Sequence, residues 1–526
     1  MRGARTADPA ALPTNRRRPQ ARSAMIDASA LLSPMKRLLL SLLTFLLLIP
    51  AAQAAAASQP PVVILIMDEF SAPALEGPSG ALRRDRFPHL AEFADTATWY
   101  PRASTNGDAT LAAVPSLLTG IDQEGWLTPN QSLFQMLRQT HRLIHFEGFS
   151  EIDGLCASCP AAPKPEMRLG GVMIRGIDEQ AESVRGTLGA IRALRKHSKR
   201  PPLWTSHILL PHGPYRFLPS GDQAMQSQLT TFPGLGENKR WGPDVHIPIL
   251  SQQRFLLQGK YMDRLVGELK RDLIRGGWWK KALVIITADH GSSFHPNTSR
   301  RVIEERSFAS IANVPLLIKY PGQSKAVIDR DSAQLTDVVP TIAAVTGTTV
   351  GWPTVGLNLK GRRPNREVNV FRADDLTWNA HSWAQFVAQR QEEVDQWNSR
   401  FPSSAAAKWL GPDASLRDRL VNRLTIRSSS TSSAKIERAD TWRETEPGSG
   451  FLPVLVGAVL KGVPAGSPLV AALNGRIVTS GYSYRNGDRI EATLMLPASS
   501  LKRGHNRVRL LLAPAGEPLT QLASTP

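Results

Sequence analysis

The sequence predicts an α/β protein, with a mixed, mainly parallel sheet flanked by helices and a small C-terminal β-sandwich domain. Three observations predict it. Two short apolar runs, 62–67 and 283–288, have the length and composition of buried strands, and each stops at ionisable residues: Asp68-Glu69 in one, Asp289-His290-Gly291 in the other. Between them Phe255, Leu256, Tyr261, Met262, Leu265, Val266, Leu269 and Leu273 recur at helical spacing over 254–275, closed by Gly276-Gly277. Beyond about 361 the pattern changes to short strands with turn signals such as Asn474-Gly475.

The strand ends carry the chemistry. A buried parallel strand delivers the residue past its carboxyl end to the crevice where open α/β sheets hold ligands. Asp289 and His290 therefore project where a divalent cation can sit, and Gly291 lets the backbone turn away without a Cβ clash. Asp68 is the first carboxylate after the other strand, with Glu69 as a second ligand or a support for the first shell. In 107–120, Asp108 is placed to cap a helical turn and Pro115 to open the next helix. That puts the Thr110 hydroxyl near a helix N-terminus, where unpaired N–H groups favour an anion. His212-Gly213 ends a further apolar run, 208–211. His246 and His295 are read as ordinary surface or structural histidines, and Trp278-Trp279 as packing residues.

Taken in order, the motifs resemble the alkaline phosphatase superfamily, in its sulfatase-like branch, over 61–361. They are the first-strand carboxylate, Phe87-Pro88-His89-Leu90, Leu117-Leu118-Thr119-Gly120, Asp289-His290-Gly291, the segment from Val314-Pro315 to Pro321-Gly322, and Asp337-Val338-Val339-Pro340-Thr341. The resemblance implies an alkaline-phosphatase-like sheet and one divalent ion, zinc or manganese ahead of calcium, on Asp68, Glu69, Thr110, Asp289 and His290. Thr110 lies five residues before Pro115, as the nucleophilic threonine does in phosphoethanolamine and phosphoglycerol transferases. His212 matches the histidine that there binds the substrate phosphate or assists the leaving group. The Cys-x-Pro-Ser-Arg setting in which sulfatases form formylglycine is missing, and so is a convincing set of extra ligands for a second zinc. An unmodified threonine points to phosphoryl chemistry. The expectation is an exported hydrolase or transferase acting on a phosphate ester of an envelope lipid or glycan through phospho-Thr110. Its rivals are a sulfuric-ester hydrolase and a catalytically silent envelope binding protein.

The chain of 526 residues has a formal charge of +18. Residues 1–37 hold eight Lys/Arg against two Asp/Glu, which is +6 of it and leaves +12 for the rest. A basic remainder suits anionic phosphate or sulfate esters, whereas the dispersed Lys/Arg and the lack of any recognition motif exclude nucleic acid as a partner. Met35-Lys36-Arg37, the apolar run 38–49 and the small residues to Ala54 have the three parts of a secretory signal. The run is short for a bilayer span, so cleavage after Ala54 and a periplasmic or extracytoplasmic protein are expected, with an uncleaved signal anchor or peripheral association as the alternative. Cys156 and Cys159 are the only cysteines, which in an exported chain predicts a loop disulfide. The expected organisation is a disordered or mis-started extension (1–34), signal (35–54), catalytic domain (61–361), helical segment and Ser-rich linker (362–449) and β-sandwich (450–515).

Overall fold

The computed structural model describes residues 59–124, 131–148, 155–156, 177–196, 198–225, 235, 239–404, 409–411 and 413–524. The extension, the signal and Cys159 with its expected bridge to Cys156 lie outside them.

Strands β1 (Val62–Asp68), β2 (Arg142–Glu147), β3 (Pro202–Pro211) and β4 (Leu283–Ala288) run parallel in the spatial order β2-β3-β1-β4. Antiparallel β5 (Leu316–Lys319) follows β4, and Thr98–Trp99 and Val327–Ile328 extend that side. β1 and β4 are buried along their whole length, which is why both read as unbroken apolar runs. Val62 faces Leu203 on one side and Leu283 on the other, so the neighbouring strands end almost level. Polar residues inside β3 are satisfied laterally: Ser206 Oγ lies 2.9 Å from Thr187 Oγ1 and Thr205 Oγ1 lies 2.6 Å from His145 Nδ1.

Helices cover the sheet. α1 is Thr110–Thr119, α2 is Ile177–Ala193 and α3 is His246–Arg275. The apolar stripe read at 254–275 is buried in α3, and the helix runs further upstream than its periodicity indicated. α2 can lie close on β2 because Gly186 has no Cβ: one placed there would meet the Phe146 ring at 1.9 Å. α4 (Trp383–Arg400), begun by a Ser382/Gln385 capping box, buries Phe386, Val394 and Trp397.

Two expectations around Thr110 are corrected. The N-cap of α1 is Ala109, and the Asp108 carboxylate instead accepts from Ile303 N (3.2 Å) and Ala373 N (3.0 Å), tying two distant loops to the site. Pro115 lies within α1 and does not start a second helix. It only removes one donor, and the turn continues, with Thr119 Oγ1 donating to Pro115 O at 2.8 Å.

The C-terminal β domain is present, and its strands close into a barrel. Its strands are β6 (Ile426–Ile436), β7 (Leu455–Lys461), β8 (Pro468–Leu473), β9 (Arg476–Asn486), β10 (Arg489–Met495), β11 (Val508–Leu512) and β12 (Leu519–Ser524). They are ordered β6-β7-β10-β9-β8-β11-β12, and a parallel β6–β12 pair completes the ring, removing open edges. The Ser-rich 427–434 stretch is therefore strand, not linker. Its composition hid a period of two, for Ser432 and Ala434 turn inward while Lys435 faces out. A parallel pairing of Phe451–Leu452 with Gln223–Ala224, and the stacking of His246 on Tyr482 at 4.1 Å, join the barrel to the α/β domain.

Candidate active site

Because β1, β2, β3 and β4 are parallel, the residues that follow them meet at one edge. Asp68 ends β1, Glu147 ends β2, His212 follows β3, and Asp289 and His290 follow β4. Gly291 is required by close approach, since a Cβ would lie 2.1 Å from Ser310 O.

Asp68, Asp289 and His290 are buried and offer ligand atoms that all lie within 4.8 Å of one another. His290 Nδ1 donates to Gly291 O (2.9 Å), which turns Nε2 toward the cluster as a lone-pair donor. Asp289 is held by two backbone donors, Glu69 N (3.1 Å) and His290 N (2.6 Å), on Oδ1. Its other oxygen accepts the Thr110 hydroxyl at 2.8 Å. Asp68 Oδ1 is buried without a hydrogen bond, and burial, then Asp289, raise the Asp68 pKa well above the usual carboxylate range. An orphaned carboxylate oxygen, a second carboxylate and an imidazole nitrogen within a few ångströms fit a divalent cation.

Glu69 is placed differently. Its φ of 62° is left-handed, uncommon for a residue with a Cβ, and it carries the carboxylate toward Arg300 Nη1 (2.6 Å) and Arg301 Nε (3.0 Å). Burial raises its pKa, but Arg300, His212 and Arg301 outweigh that and hold it well below the ordinary carboxylate value. A second set, Asp68, Glu69 and His212, also meets the spacing of a cation site; there the Glu69 charge is already matched by the two guanidinium groups.

The side chain of His212 is 27% exposed, while those of Asp68's partners Asp289 and His290 are closed off from solvent. Its Nε2 lies 3.4 Å from Glu69 Oε1 and accepts from Arg301 Nη1 at 3.3 Å, and Arg301 Nη2 reaches His290 Nε2 at 3.3 Å. Burial pushes the His212 pKa down to about 4, so it is neutral at physiological pH. Gln180 and Gln258 both donate to its carbonyl, at 2.5 and 2.8 Å.

All the sequence-predicted residues thus converge. Four others complete the site without having been singled out. His207, buried under Asp289, binds Glu147 Oε1 through Nδ1 at 2.6 Å and points Nε2 at Asp289 Oδ2, 3.8 Å away. Burial lowers its pKa, but Glu147 prevails and pushes it up to about 9. The signal for His207 was its place at the head of the run ending in His212. Arg300 and Arg301, in a polar loop past β4, had none. His295, read as a surface or structural histidine, pairs through Nε2 with buried Glu393.

A Sulfatase family model matches residues 181–348, a span holding His212, Asp289, His290 and the arginine pair but not Asp68 or Thr110. No curated protein matches the chain. Similar solved structures include a 2-O GAG sulfatase (15% identity, TM-score 0.45, covering 65% of this chain and 92% of that one). They also include phosphonate monoester hydrolases of Agrobacterium radiobacter (14%, 0.43, 65% and 95%) and Silicibacter pomeroyi (17%, 0.42, 60% and 80%). Residues 181–348 of the α/β region thus match the Sulfatase family, in agreement with the resemblance to the sulfatase-like branch of the alkaline phosphatase superfamily carried by the ordered motifs.

Proposed function

We propose that the protein is an exported, metal-dependent hydrolase or transferase that acts on an anionic phosphate ester of the cell envelope through a phospho-Thr110 intermediate. The observation that carries this reading is the Thr110 hydroxyl at the first position of α1, 2.8 Å from Asp289 Oδ2. Asp68, Asp289 and His290 would hold the ion, zinc or manganese by donor type, with Thr110 beside it; such an ion lowers the pKa of a neighbouring hydroxyl and neutralises phosphoryl charge. Thr110 Oγ1 gives its proton to the carboxylate it already touches and attacks phosphorus; the Oγ1–P bond forms as the bond to the leaving oxygen breaks. Arg301, on the open side next to His212, supplies N–H donors to the phosphoryl oxygens. His212, the accessible imidazole, faces the departing group and donates a hydrogen bond to it. Attack on phosphorus by water, or by an acceptor hydroxyl, then restores Thr110.

The Sulfatase family match favours sulfate-ester hydrolysis as the second reading; the unmodified threonine favours phosphate. The deciding experiment incubates the purified protein with a slow phosphodiester and with a sulfate monoester. Phosphate on the Thr110 peptide by mass spectrometry is the expected result. Turnover of the sulfate ester alone, with no modified Thr110, would overturn the reading.

A further inference from the structure

We infer that the sheet edge opposite the candidate active site is a docking surface for an anionic lipid bilayer. The N-terminal ends of β1, β2, β3 and β4 share that edge, because the four strands are parallel. Three segments meet around it: the turn before β2, the residues after α2, and the last turn of α3 with 276–281. Hydrogen bonds fix them side by side. Trp278 Nε1 donates to Leu194 O (2.8 Å), Arg142 Nη2 to Lys196 O (3.4 Å) and Arg195 Nη2 to Asp272 Oδ1 (2.8 Å).

The exposed side chains there are cationic: Lys196, Lys199, Arg200, Arg271, Lys280 and Lys281. Three acids lie among them, each facing a cation: Asp272 is buried and paired with Arg195 and Arg275, Glu268 lies 3.9 Å from Arg271, and the exposed Glu92 accepts from Lys270 Nζ at 2.8 Å, so the cations remain in excess. Set into this field are Ile274, 53% exposed, and the half-buried Trp278 and Trp279, with Lys281 Nζ 5.2 Å above the Trp278 ring and Lys270 Nζ 5.2 Å above Trp279. Indole rings with one apolar and one wet side, lysines on long apolar stems and an exposed aliphatic tip are the groups that settle at a bilayer interface. Clustered cations add attraction to anionic head groups.

An independent observation points the same way. The chain enters the fold at this edge, where Pro60 O accepts from His141 Nε2 (3.0 Å) and Pro61 O from Leu283 N (2.8 Å). In sequence, ten residues separate the apolar run 38–49 from that entry, a reach of at most about 36 Å, so an uncleaved signal anchor, the alternative to cleavage after Ala54, would attach the chain from this edge. Among the described residues no helix is long and apolar enough to cross a membrane, so this surface works from outside the bilayer. β1 spans about 23 Å, which puts the docked site mouth away from the lipid. The substrate is then an ester in the aqueous envelope, such as a glycan chain, and not a head group of the bilayer that holds the protein.

The test uses the unit from Gln59 onward, which forms its own compact body and contains all the described cores. Its binding is measured to vesicles of phosphatidylcholine, alone or mixed with phosphatidylglycerol. Expected are co-sedimentation with the anionic vesicles only, release by high salt and a blue shift of tryptophan emission. Combining Lys196→Glu, Arg271→Glu, Lys280→Glu and Lys281→Glu should weaken binding at least tenfold and leave hydrolysis of a soluble ester unchanged. Reversing Arg427, Arg485, Lys502 and Arg507 on the barrel should leave binding intact. If the fourfold variant does not fold, Ile274→Asp carries the test, with a severalfold loss expected. Equal binding of neutral vesicles, an unaffected variant, or capture of DNA or a soluble acidic polysaccharide in place of vesicles would overturn the assignment. Hydrolysis without vesicles reports on the catalytic proposal separately.

Discussion

The Thr110 hydroxyl donates to Asp289 Oδ2 across 2.8 Å, although the two residues lie 179 positions apart. One opens a helix and the other follows a strand, so the contact depends on how α1 is seated over the carboxyl ends of β1 and β4. Asp289 does not depend on Thr110 in return, because backbone donors Glu69 N and His290 N hold its other oxygen.

This asymmetry gives the first prediction. Thr110→Ala should fold, keep nearly normal metal content and lose turnover by about three orders of magnitude or more, as expected when a nucleophile is deleted. Thr110→Ser should keep a measurable fraction. Single-turnover chemistry in Thr110→Ala at the wild-type rate would rule out threonine as the nucleophile.

The second prediction separates Glu69 from Asp68. Arg300 is buried and faces Glu69, so Glu69→Ala removes the carboxylate of a buried ion pair, and breaking such a pair typically costs about 3–5 kcal/mol. Among the described residues Asp68 makes no direct ion pair, and burial and Asp289 outweigh the favourable charges of His207 and Arg301, so Asp68→Ala should instead abolish metal binding with little loss, or a gain, in apo stability. Urea unfolding and metal analysis of the two variants test this. Equal loss of metal with no difference in stability would return Glu69 to the list of ligands.

The strand-end residues were legible in the sequence because buried parallel strands are continuous apolar runs, and their first ionisable residue marks a crevice. Asp68, Asp289, His290 and His212 were all found in this way. The local pattern put the Thr110 hydroxyl near a helix N-terminus, but its role as nucleophile needed the resemblance; Thr105, a few residues earlier, spends its hydroxyl on Gly107 O. Asp108 and Pro115 misled because cap and breaker preferences are local, whereas Asp108 is claimed by Ile303 and Ala373 from far along the chain. The arginines were invisible because loop residues carry no period; only the fold brings them to Glu69. In the barrel, Ser-rich composition imitated a linker, and the alternation at Ser432 and Ala434 acquires meaning only once β7 and β12 flank it.

Metal removal provides the third prediction. Two buried carboxylates face each other with Asp68 Oδ1 unbonded, so a cation bound there favours the folded state over the unfolded one. Chelation should lower Tm, and added zinc or manganese should restore it in a concentration-dependent way. In Asp289→Ala and His290→Ala the Tm should no longer respond. Scanning calorimetry with and without chelator checks this, and a wild-type Tm indifferent to chelator would argue against a resident ion.

The last prediction concerns a lysine far from the chemistry. Lys319 ends β5 with 1% of its surface exposed; Nζ donates to Tyr320 O at 3.2 Å and lies 5.1 Å from the Trp279 ring centroid. Burial pushes its pKa down to about 8, below the value of about 10.4 for an unfolded lysine. Between those values the unfolded chain binds more protons than the folded one, so stability rises with pH through that window. Below about 8 both states are protonated and the full cost of burying the charge is present. Lys319→Met, which keeps the length of the side chain and removes the charge, should therefore stabilise the protein by about 1–3 kcal/mol near neutral pH. Its advantage should shrink as pH rises toward the unfolded value, because the wild type sheds the proton there. Urea unfolding of both proteins across that range measures the difference, and a gain that grew with pH, or a loss at neutral pH, would show that the Trp279 contact outweighs the cost of burial.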